Sequence, residues 1–266
     1  MSDEYDLDSG PDPATFAAAE SEPDVDESIA DPVYAVGVGP GNQEYLTPRG
    51  RRAIEEADVV VGFTTVVEFV ADLTDADLLT CGYADEAEAL EAFTERVADG
   101  ESGTAVAMGD PNHSGYQFVG KVQQAVQSVD PSTPVRVIPG ISSLQVAASR
   151  ARTPMEDTEF VTLHKSGDLE GDMDRLATAV VEDRRHALVL PRPYDRMPGD
   201  LAAVLLERGA PADLEALVLE KLTHDEETVH RFTLETLAEH AGGDGREETP
   251  FSDLVVLAVR QPVAPS

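Results

Sequence analysis

Three loops carry most of the residues whose types and spacing could bind a small ligand. The loops are Gly39-Pro40-Gly41, Gly109-Asp110-Pro111-Asn112-His113-Ser114-Gly115 and Pro139-Gly140-Ile141-Ser142-Ser143, and each follows a short apolar run. Because ligands of parallel sheets bind beyond the carboxyl ends of the strands, three such loops can converge on one site. Each loop alone is also explained as a turn or a helix start, since glycine, proline and aspartate favour turns and serine favours helix N-caps.

The first loop differs from the fingerprint that binds dinucleotides. That fingerprint has the spacing G-x-G-x-x-G, and its helix opens at once so that free N–H groups meet a pyrophosphate. Here Gly37, Gly39 and Gly41 alternate, Pro40 lacks an N–H group, and the next helix is predicted to begin only at Thr47-Pro48. We therefore expect a ligand other than a dinucleotide.

The segments that must position these loops alternate between apolar strands and amphipathic helices. This alternation predicts a mainly parallel sheet with helices on both faces. The predicted strands are Val33–Val38, Val59–Val61, Leu78–Thr80, Thr104–Met108, Val135–Ile138, Phe160–His164, Ala187–Leu190, Ala216–Leu219, Val229–Phe232 and Leu254–Val259. The predicted helices are Pro48–Ala57, Thr65–Ala71, Glu86–Ala98, Tyr116–Ser128, Ser142–Arg150, Leu169–Val181, Gly199–Arg208 and Leu234–His240.

The order of these segments predicts two α/β domains with a cleft between them. Residues 33–139 form the first, with a mainly parallel sheet, and residues 140–262 form the second, whose hairpin near Val229 makes its sheet mixed. Residues 1–32 hold 11 acidic and no basic residues and few large apolar side chains. Such a segment buries too little surface to offset its ordering entropy, so we predict a disordered acidic tail.

The charge balance bounds the possible partners. The chain has 52 acidic and 19 basic residues and a net charge of −33, which disfavours nucleic acid and anionic lipid as partners. An acid excess spread along the whole chain is typical of halophilic proteins.

The single cysteine, Cys81, excludes an internal disulfide and a cysteine-built metal site, and we expect no metal site. Without a signal-like start or an apolar run near ~20 residues, we expect a cytoplasmic protein without a membrane partner.

In combination, the three loops resemble those of the tetrapyrrole (corrin/porphyrin) methylases. The resemblance rests on Val36-Gly-Val-Gly-Pro-Gly41, Gly109-Asp110-Pro111 and Val137-Ile-Pro-Gly-Ile-Ser-Ser143, and it covers roughly residues 33–260. It implies two α/β domains with S-adenosyl-L-methionine in the cleft between them, usually in a homodimer. It also implies transfer of a methyl group to a ring carbon of a tetrapyrrole.

The resemblance also implies which residues contact the cofactor. Four follow from the loop motifs, and two rest on their position in the family's fold. They are Pro40, Asp110, Ser142 and Ser143 from the motifs, and Leu190 and Leu222 from position.

Within the family, the second half of the chain is most similar to the methylases of C-5 of cobalt-precorrin-7, an intermediate of cobalamin biosynthesis. The similarity rests on Pro139–Gln145, Pro154–Asp157, Val161–His164 and Val218–Thr223. Alternatives are methylation of another ring carbon, such as C-17 or C-11, or of a translation factor as by diphthine synthase, which shares the fold. A further alternative is a non-catalytic regulatory module that binds S-adenosylmethionine.

Methyl transfer from a sulfonium needs alignment and exclusion of water more than a nucleophile–base pair. His113 and His164 are the candidate catalytic residues for moving a proton, because His113 follows a predicted strand and His164 lies at the end of one. His113 is equally well explained as a residue that contacts the cofactor. His164 is equally well explained as a hydrogen-bonded histidine at a strand end. Because the substrate that the resemblance implies is a polycarboxylate, some of the scarce basic residues are expected to bind it. The candidates are Arg150, Arg152, Lys165, Arg192 and Arg196.

Overall fold

The computed structural model describes residues 32–82, 84–113, 116–165, 167–193, 195–242 and 249–262. The predicted acidic tail lies outside these residues, except for Pro32. The chain divides into two compact units with their boundary between Ser142 and Ser143, and we describe each by itself.

The first unit is a parallel sheet with helices between its strands. In chain order its elements are β1 (Val33–Gly37), α1 (Pro48–Glu55), β2 (Val59–Phe63), α2 (Thr64–Val70), β3 (Asp77–Cys81), α3 (Glu86–Ala98), β4 (Gly103–Ala107), α4 (Tyr116–Val129) and β5 (Val135–Ile138). The strand order is β3-β2-β4-β1-β5, and every neighbouring pair is parallel. This arrangement confirms the predicted parallel sheet.

The strands of this unit are buried on both faces because alternate side chains enter two separate cores. Val33 and Ala35 of β1 lie in one core with Phe93 of α3. Val36 lies in the other with Ile54 of α1. Successive side chains of a strand point to opposite faces, so a strand apolar at every position must be covered on both.

The delayed helix start after the first loop is also present. A short 3₁₀ turn at Gln43–Tyr45 precedes α1. The Thr47 side chain accepts a hydrogen bond from the Gly50 backbone N–H at 3.1 Å, and Pro48 occupies the first helical turn, where no N–H partner is needed. The loop after β1 therefore lies well before the helix N-terminus, unlike a dinucleotide-binding loop.

The second unit contains a mixed sheet. Its elements are α5 (Ser143–Ala151), β6 (Thr158–Thr162), α6 (Glu170–Ala177), β7 (His186–Leu190), α7 (Pro198–Glu207), β8 (Glu215–Glu220), β9 (Thr228–Thr233), α8 (Leu234–Ala238) and β10 (Val255–Arg260). The strand order is β6-β7-β10-β8-β9. Strands β6 and β7 are parallel, whereas β10 is antiparallel to both β7 and β8, and β8 and β9 form a hairpin. The predicted mixed sheet is confirmed.

All the predicted strands and helices are present, with small shifts at their ends. One shift concerns a candidate residue: β6 ends at Thr162, so His164 follows the strand and is not part of it. The end of α6 continues as one turn of π-helix at Thr178–Glu182. In the part of the chain that the structure describes, no helix is both long and apolar enough to cross a bilayer.

Candidate functional site

The three glycine-containing loops meet at one end of the first sheet. Strands β4, β1 and β5 are parallel neighbours, so their carboxyl ends lie side by side. Gly39 and Gly109 form an isolated β-bridge between the first two loops. The Gly39 N–H donates to the Gly109 carbonyl at 3.2 Å, and the Gly109 N–H donates to the Gly39 carbonyl at 2.8 Å. Backbone pairing thus continues beyond the strands and joins the loops directly.

Two further glycines make this convergence possible because a side chain would not fit. A Cβ atom on Gly140 would lie 2.1 Å from the Gly109 carbonyl oxygen. A Cβ atom on Gly37 would lie 2.6 Å from that same oxygen and 2.6 Å from the Gly140 nitrogen. The third loop therefore packs backbone against backbone on the other two. The sequence motifs contained both glycines. Only the structure shows that Gly37 and Gly140 lie so close together that neither position has room for a side chain.

Pro40 and Ser142 lie at the edges of this cluster. Pro40 is half-buried between Gly39 and Gly41, whose φ angles of 86° and 130° are in the region that favours glycine. Ser142 is 3% exposed. Its Cα atom lies 3.8 Å from the position that a Cβ atom on Gly109 would take. Ser142 of the third loop thus lies beside Gly109 of the second loop, and Gly109 in turn pairs with Gly39, the neighbour of Pro40.

Asp110 follows Gly109 and is half-buried. Its Oδ1 accepts hydrogen bonds from the Asn112 backbone N–H at 2.8 Å and from the Asn112 side-chain amide at 2.9 Å. The His113 N–H donates to the Asp110 carbonyl at 3.0 Å, which completes a tight turn. The Nδ1 atom of His113 is buried and has no hydrogen-bond partner among the described residues. A polar atom in that position is suited to a ligand contact, because burying it unpaired is costly.

The remaining candidates lie in the second unit, and three of them lie at the carboxyl ends of its strands β6, β7 and β8. Strands β6, β7 and β8 run in the same direction, since β10 between β7 and β8 is antiparallel to both. Leu190 ends β7, His164 follows β6, and Leu222 follows β8. The Leu163 N–H donates to the Leu190 carbonyl at 2.9 Å and holds His164 next to that strand end. Ser143 is the first residue of α5, which packs against β7 and β10.

The environment of His164 favours its neutral form. Burial lowers the pKa of its imidazole below the usual 6.5, and the carboxylate of Asp253 opposes this effect only in part. At pH 7 the ring is therefore neutral and able to accept a proton. The same burial disfavours the protonated ring, so the catalytic role predicted for His164 from the sequence stays a prediction.

Most of the basic residues that we expect to bind the substrate are paired with acidic side chains, and their role in substrate binding stays a prediction. Lys165 bonds to Asp172 at 2.7 Å. The Arg192 Nε donates to Asp195 at 2.8 Å, and its Nη1 donates to the carbonyls of Lys165 and Gly167, both at 3.3 Å. Arg192 thus joins the loops after β6 and β7. Such a paired guanidinium binds a substrate carboxylate only by exchanging or sharing its partners.

The other basic candidates differ among themselves. The Arg196 Nη1 donates to the Asp195 carbonyl at 2.6 Å. Arg150 is paired with Glu227 at 2.6 Å. Arg152 is exposed, has a φ angle of 56°, and has no partner among the described residues. Sequence patterns could not show these pairings, because they depend on which of many acidic side chains comes near each base.

Most of the chain matches a family of known proteins. Residues 32–238 match the family Tetrapyrrole (Corrin/Porphyrin) Methylases. This chain belongs to the tetrapyrrole methylases, and it is an S-adenosylmethionine-dependent methyltransferase. The part of the chain that the structure describes contains no group of three or more metal-binding side chains.

The individual relatives are named for different reactions. The chain is 29% identical to a probable cobalt-precorrin-7 C(5)-methyltransferase of Methanocaldococcus jannaschii, over 80% of this chain and 92% of that protein. It is 28% identical to a siroheme synthase of Gluconobacter oxydans, over 87% of this chain but only 50% of that protein. It is 30% identical to a probable cobalt-factor III C(17)-methyltransferase of Methanothermobacter thermautotrophicus, over 49% of this chain and 36% of that protein.

Solved structures share the fold at lower sequence identity. The methyltransferase CobJ has a TM-score of 0.67 and 20% identity, and the match covers 87% of this chain and 95% of that one. A uroporphyrin-III C-methyl transferase from Thermus thermophilus, solved in complex with S-adenyl homocysteine, has a TM-score of 0.59 and 22% identity. That match covers 86% of this chain and 97% of the other.

Proposed function

We propose that this protein methylates a ring carbon of a cobalt-precorrin in cobalamin biosynthesis, and that the carbon is C-5 of cobalt-precorrin-7. The observation that carries the proposal is the convergence of the loops after β1, β4 and β5 through Gly39, Gly109 and Gly140. The choice of C-5 is supported by the relative from Methanocaldococcus jannaschii, which the match covers almost completely.

The chemistry of the loops fits S-adenosyl-L-methionine better than a phosphate-bearing cofactor. The loops 39–41, 109–113 and 139–143 contain no lysine or arginine, the side chains that bind phosphate groups through charge-assisted hydrogen bonds. Asp110 provides a carboxylate that can accept hydrogen bonds from a hydroxyl or an ammonium group, and Ser142 provides a small polar side chain. Pro40, Asp110, Ser142, Ser143, Leu190 and Leu222 are the residues that we propose hold the cofactor.

When bound, S-adenosyl-L-methionine supplies a methyl group that is already electrophilic. The protein's own contribution is then to align the ring carbon with that methyl group and to exclude water. We propose that His164, which is neutral at pH 7 because burial lowers its pKa, accepts a proton released from the macrocycle. His113 contributes a ligand contact through its buried Nδ1 atom.

Cofactor binding is tested by calorimetry of the purified protein in concentrated KCl. S-adenosylhomocysteine is expected to bind, whereas NAD is not, because the loop after β1 lacks a helix N-terminus for its pyrophosphate. Absence of S-adenosylhomocysteine binding, or binding of NAD instead, would contradict the proposal.

The methylated carbon is tested with cobalt-precorrin-7 and S-adenosylmethionine carrying a ¹³C-labelled methyl group. NMR of the product is expected to show the label at C-5. The same experiment with cobalt-factor III tests the C-17 alternative that the relative from Methanothermobacter thermautotrophicus represents. Binding of S-adenosylhomocysteine without turnover of either compound would instead favour a regulatory binding module.

A further inference from the structure

The loop that contains Leu222 has an unusual backbone. It connects β8 and β9, and Lys221 and Thr223 on either side of Leu222 have φ angles of 48° and 72°. Neither residue is glycine, and threonine is particularly unfavourable in this region because its side chain is branched at Cβ. Such conformations persist only where the surrounding structure holds them, and they cluster at functional sites. The side chain of Leu222 is 5% exposed.

Glu227 holds this loop from within. Its carboxylate accepts a hydrogen bond from the Thr223 backbone N–H at 2.8 Å. Its own N–H donates to the His224 carbonyl at 3.0 Å, and the His224 N–H donates to the Lys221 carbonyl at 3.0 Å. Short-range hydrogen bonds therefore hold both left-handed residues, Lys221 through its carbonyl and Thr223 through its N–H, which bonds to the Glu227 carboxylate.

The same carboxylate also bonds to α5. The Arg150 Nε donates to Glu227 Oε1 at 2.6 Å, and Nη2 donates to Oε2 at 3.3 Å. The Glu227 side chain is 22% exposed, so solvent screens this pair less than it screens a fully exposed one. The arginine hydrogen bonds hold the pKa of Glu227 below its usual value, so the carboxylate stays charged at neutral pH.

We propose that Glu227 is a positioning residue for cofactor binding, because it joins the loop around Leu222 to Arg150, in the last turn of the helix that begins at Ser143. This inference rests on the proposed function, in which Leu222 and Ser143 contact S-adenosylmethionine. Glu227 itself does not contact the cofactor. Its hydrogen bonds keep the backbone of one contact segment in place relative to another before the cofactor binds, which lowers the ordering cost of binding.

The test compares Glu227→Ala and Glu227→Gln with a matched control, Glu215→Ala. Glu215 is the first residue of β8, at the opposite end of that strand, and it also pairs with two arginines, Arg231 and Arg260. We expect Glu227→Ala to weaken S-adenosylhomocysteine binding about tenfold in calorimetry, and Glu227→Gln about threefold, since glutamine keeps an acceptor for the Thr223 N–H. Glu215→Ala is expected to stay within about twofold of the unaltered protein.

Two further readouts separate positioning from a general loss of stability. In steady-state kinetics, the KM for S-adenosylmethionine is expected to rise in the Glu227 variants while kcat changes less than about twofold. In the ligand-free protein, amide exchange at Thr223 is expected to be faster in both Glu227 variants and unchanged in Glu215→Ala. If Glu227→Ala does not fold, the comparison rests on Glu227→Gln.

The outcomes distinguish the two proposals. If the unaltered protein fails to bind S-adenosylhomocysteine, the proposed function is wrong. If the unaltered protein binds it, and the Glu227 variants bind as tightly as Glu215→Ala does, the function stands and the positioning role is wrong.

Discussion

We propose two roles for the Asp110 side chain, one in holding its loop and one in binding the ligand, and experiment must separate them. Its Oδ1 atom accepts both hydrogen bonds from Asn112 and so holds the loop after β4. Its Oδ2 atom has no hydrogen-bond partner within the described part of the chain, so it can accept a hydrogen bond from a ligand. Removing the carboxylate therefore affects the loop and the ligand together.

We expect Asp110→Ala to weaken S-adenosylhomocysteine binding about tenfold to a hundredfold, which is the usual effect of losing a hydrogen bond to a charged group. Calorimetry measures this change. Asp110→Asn is expected to bind better than Asp110→Ala, because an amide oxygen can still accept the hydrogen bonds from Asn112.

Asp130 provides the control for Asp110. It forms the same kind of turn, in which its Oδ1 accepts from the Ser132 backbone N–H at 2.9 Å, but it lies before β5 at the other end of the sheet. Asp130→Ala is expected to lower stability slightly, because the turn loses its side-chain acceptor, and to leave binding unchanged. Equal losses of binding in Asp110→Ala and Asp130→Ala would remove Asp110 from the proposed site.

At the scale of the elements, the first unit brings three strand ends so close together that the loops pack backbone against backbone. Strands β4, β1 and β5 are adjacent and parallel, and Gly140 is where the third loop contacts the other two. A methyl group there would lie 2.1 Å from the Gly109 carbonyl oxygen, a backbone atom that cannot rotate away. The loops would have to separate to admit it.

We therefore expect Gly140→Ala to lower the free energy of unfolding by about 3 kcal/mol, the upper range for an overpacked position. It should also weaken S-adenosylhomocysteine binding, because the displaced loops carry Asp110 and Ser142. Urea unfolding and calorimetry measure the two effects.

Gly171→Ala is the matched substitution. Gly171 lies in the first turn of α6, and a Cβ atom there would have no atom within 4 Å. Alanine at this position is expected to raise stability by about 0.5 kcal/mol, since glycine is less favourable in a helix. If Gly140→Ala were as stable as Gly171→Ala, the close packing of the three loops would be contradicted.

At the scale of the whole molecule, the net charge of −33 acts on every part of the fold. Like charges repel one another more in the folded state, where they are closer together. Salt screens this repulsion, and the screening length falls from about 10 Å at 0.1 M to about 3 Å at 1 M. The exposed face of α3 shows the effect locally, since Glu88, Glu91 and Glu95 are three and four residues apart.

We expect the thermal unfolding midpoint to rise when KCl is increased from about 0.1 M to about 2 M, because screening reduces the repulsion. The triple variant Glu88→Gln, Glu91→Gln, Glu95→Gln should be more stable than the unaltered protein at low salt and show a smaller rise. Differential scanning calorimetry measures both. An identical rise in the two proteins would show that salt stabilises the fold by a mechanism other than charge screening.

The sequence by itself determined the elements, the two sheet types and the loops of the candidate site. Apolar runs such as Val59–Val61 and amphipathic segments such as Glu86–Ala98 are local patterns, and local patterns are sufficient to predict strands and helices. The glycine, proline and serine residues after three strands are also local, and the parallel arrangement of strands predicts that such loops meet.

Only the tertiary structure decided which side chains pair and which backbones touch. Arg150 and Glu227 are 77 residues apart in the chain and bond at 2.6 Å. With 52 acidic residues for 19 basic ones, no local pattern indicates which acid each base meets. Most of the basic residues expected to bind substrate are paired within the protein, and the sequence did not predict these pairs. The contacts of Gly140 with Gly37 and Gly109 likewise join segments that are distant in the chain, and sequence patterns do not show which backbones pack together.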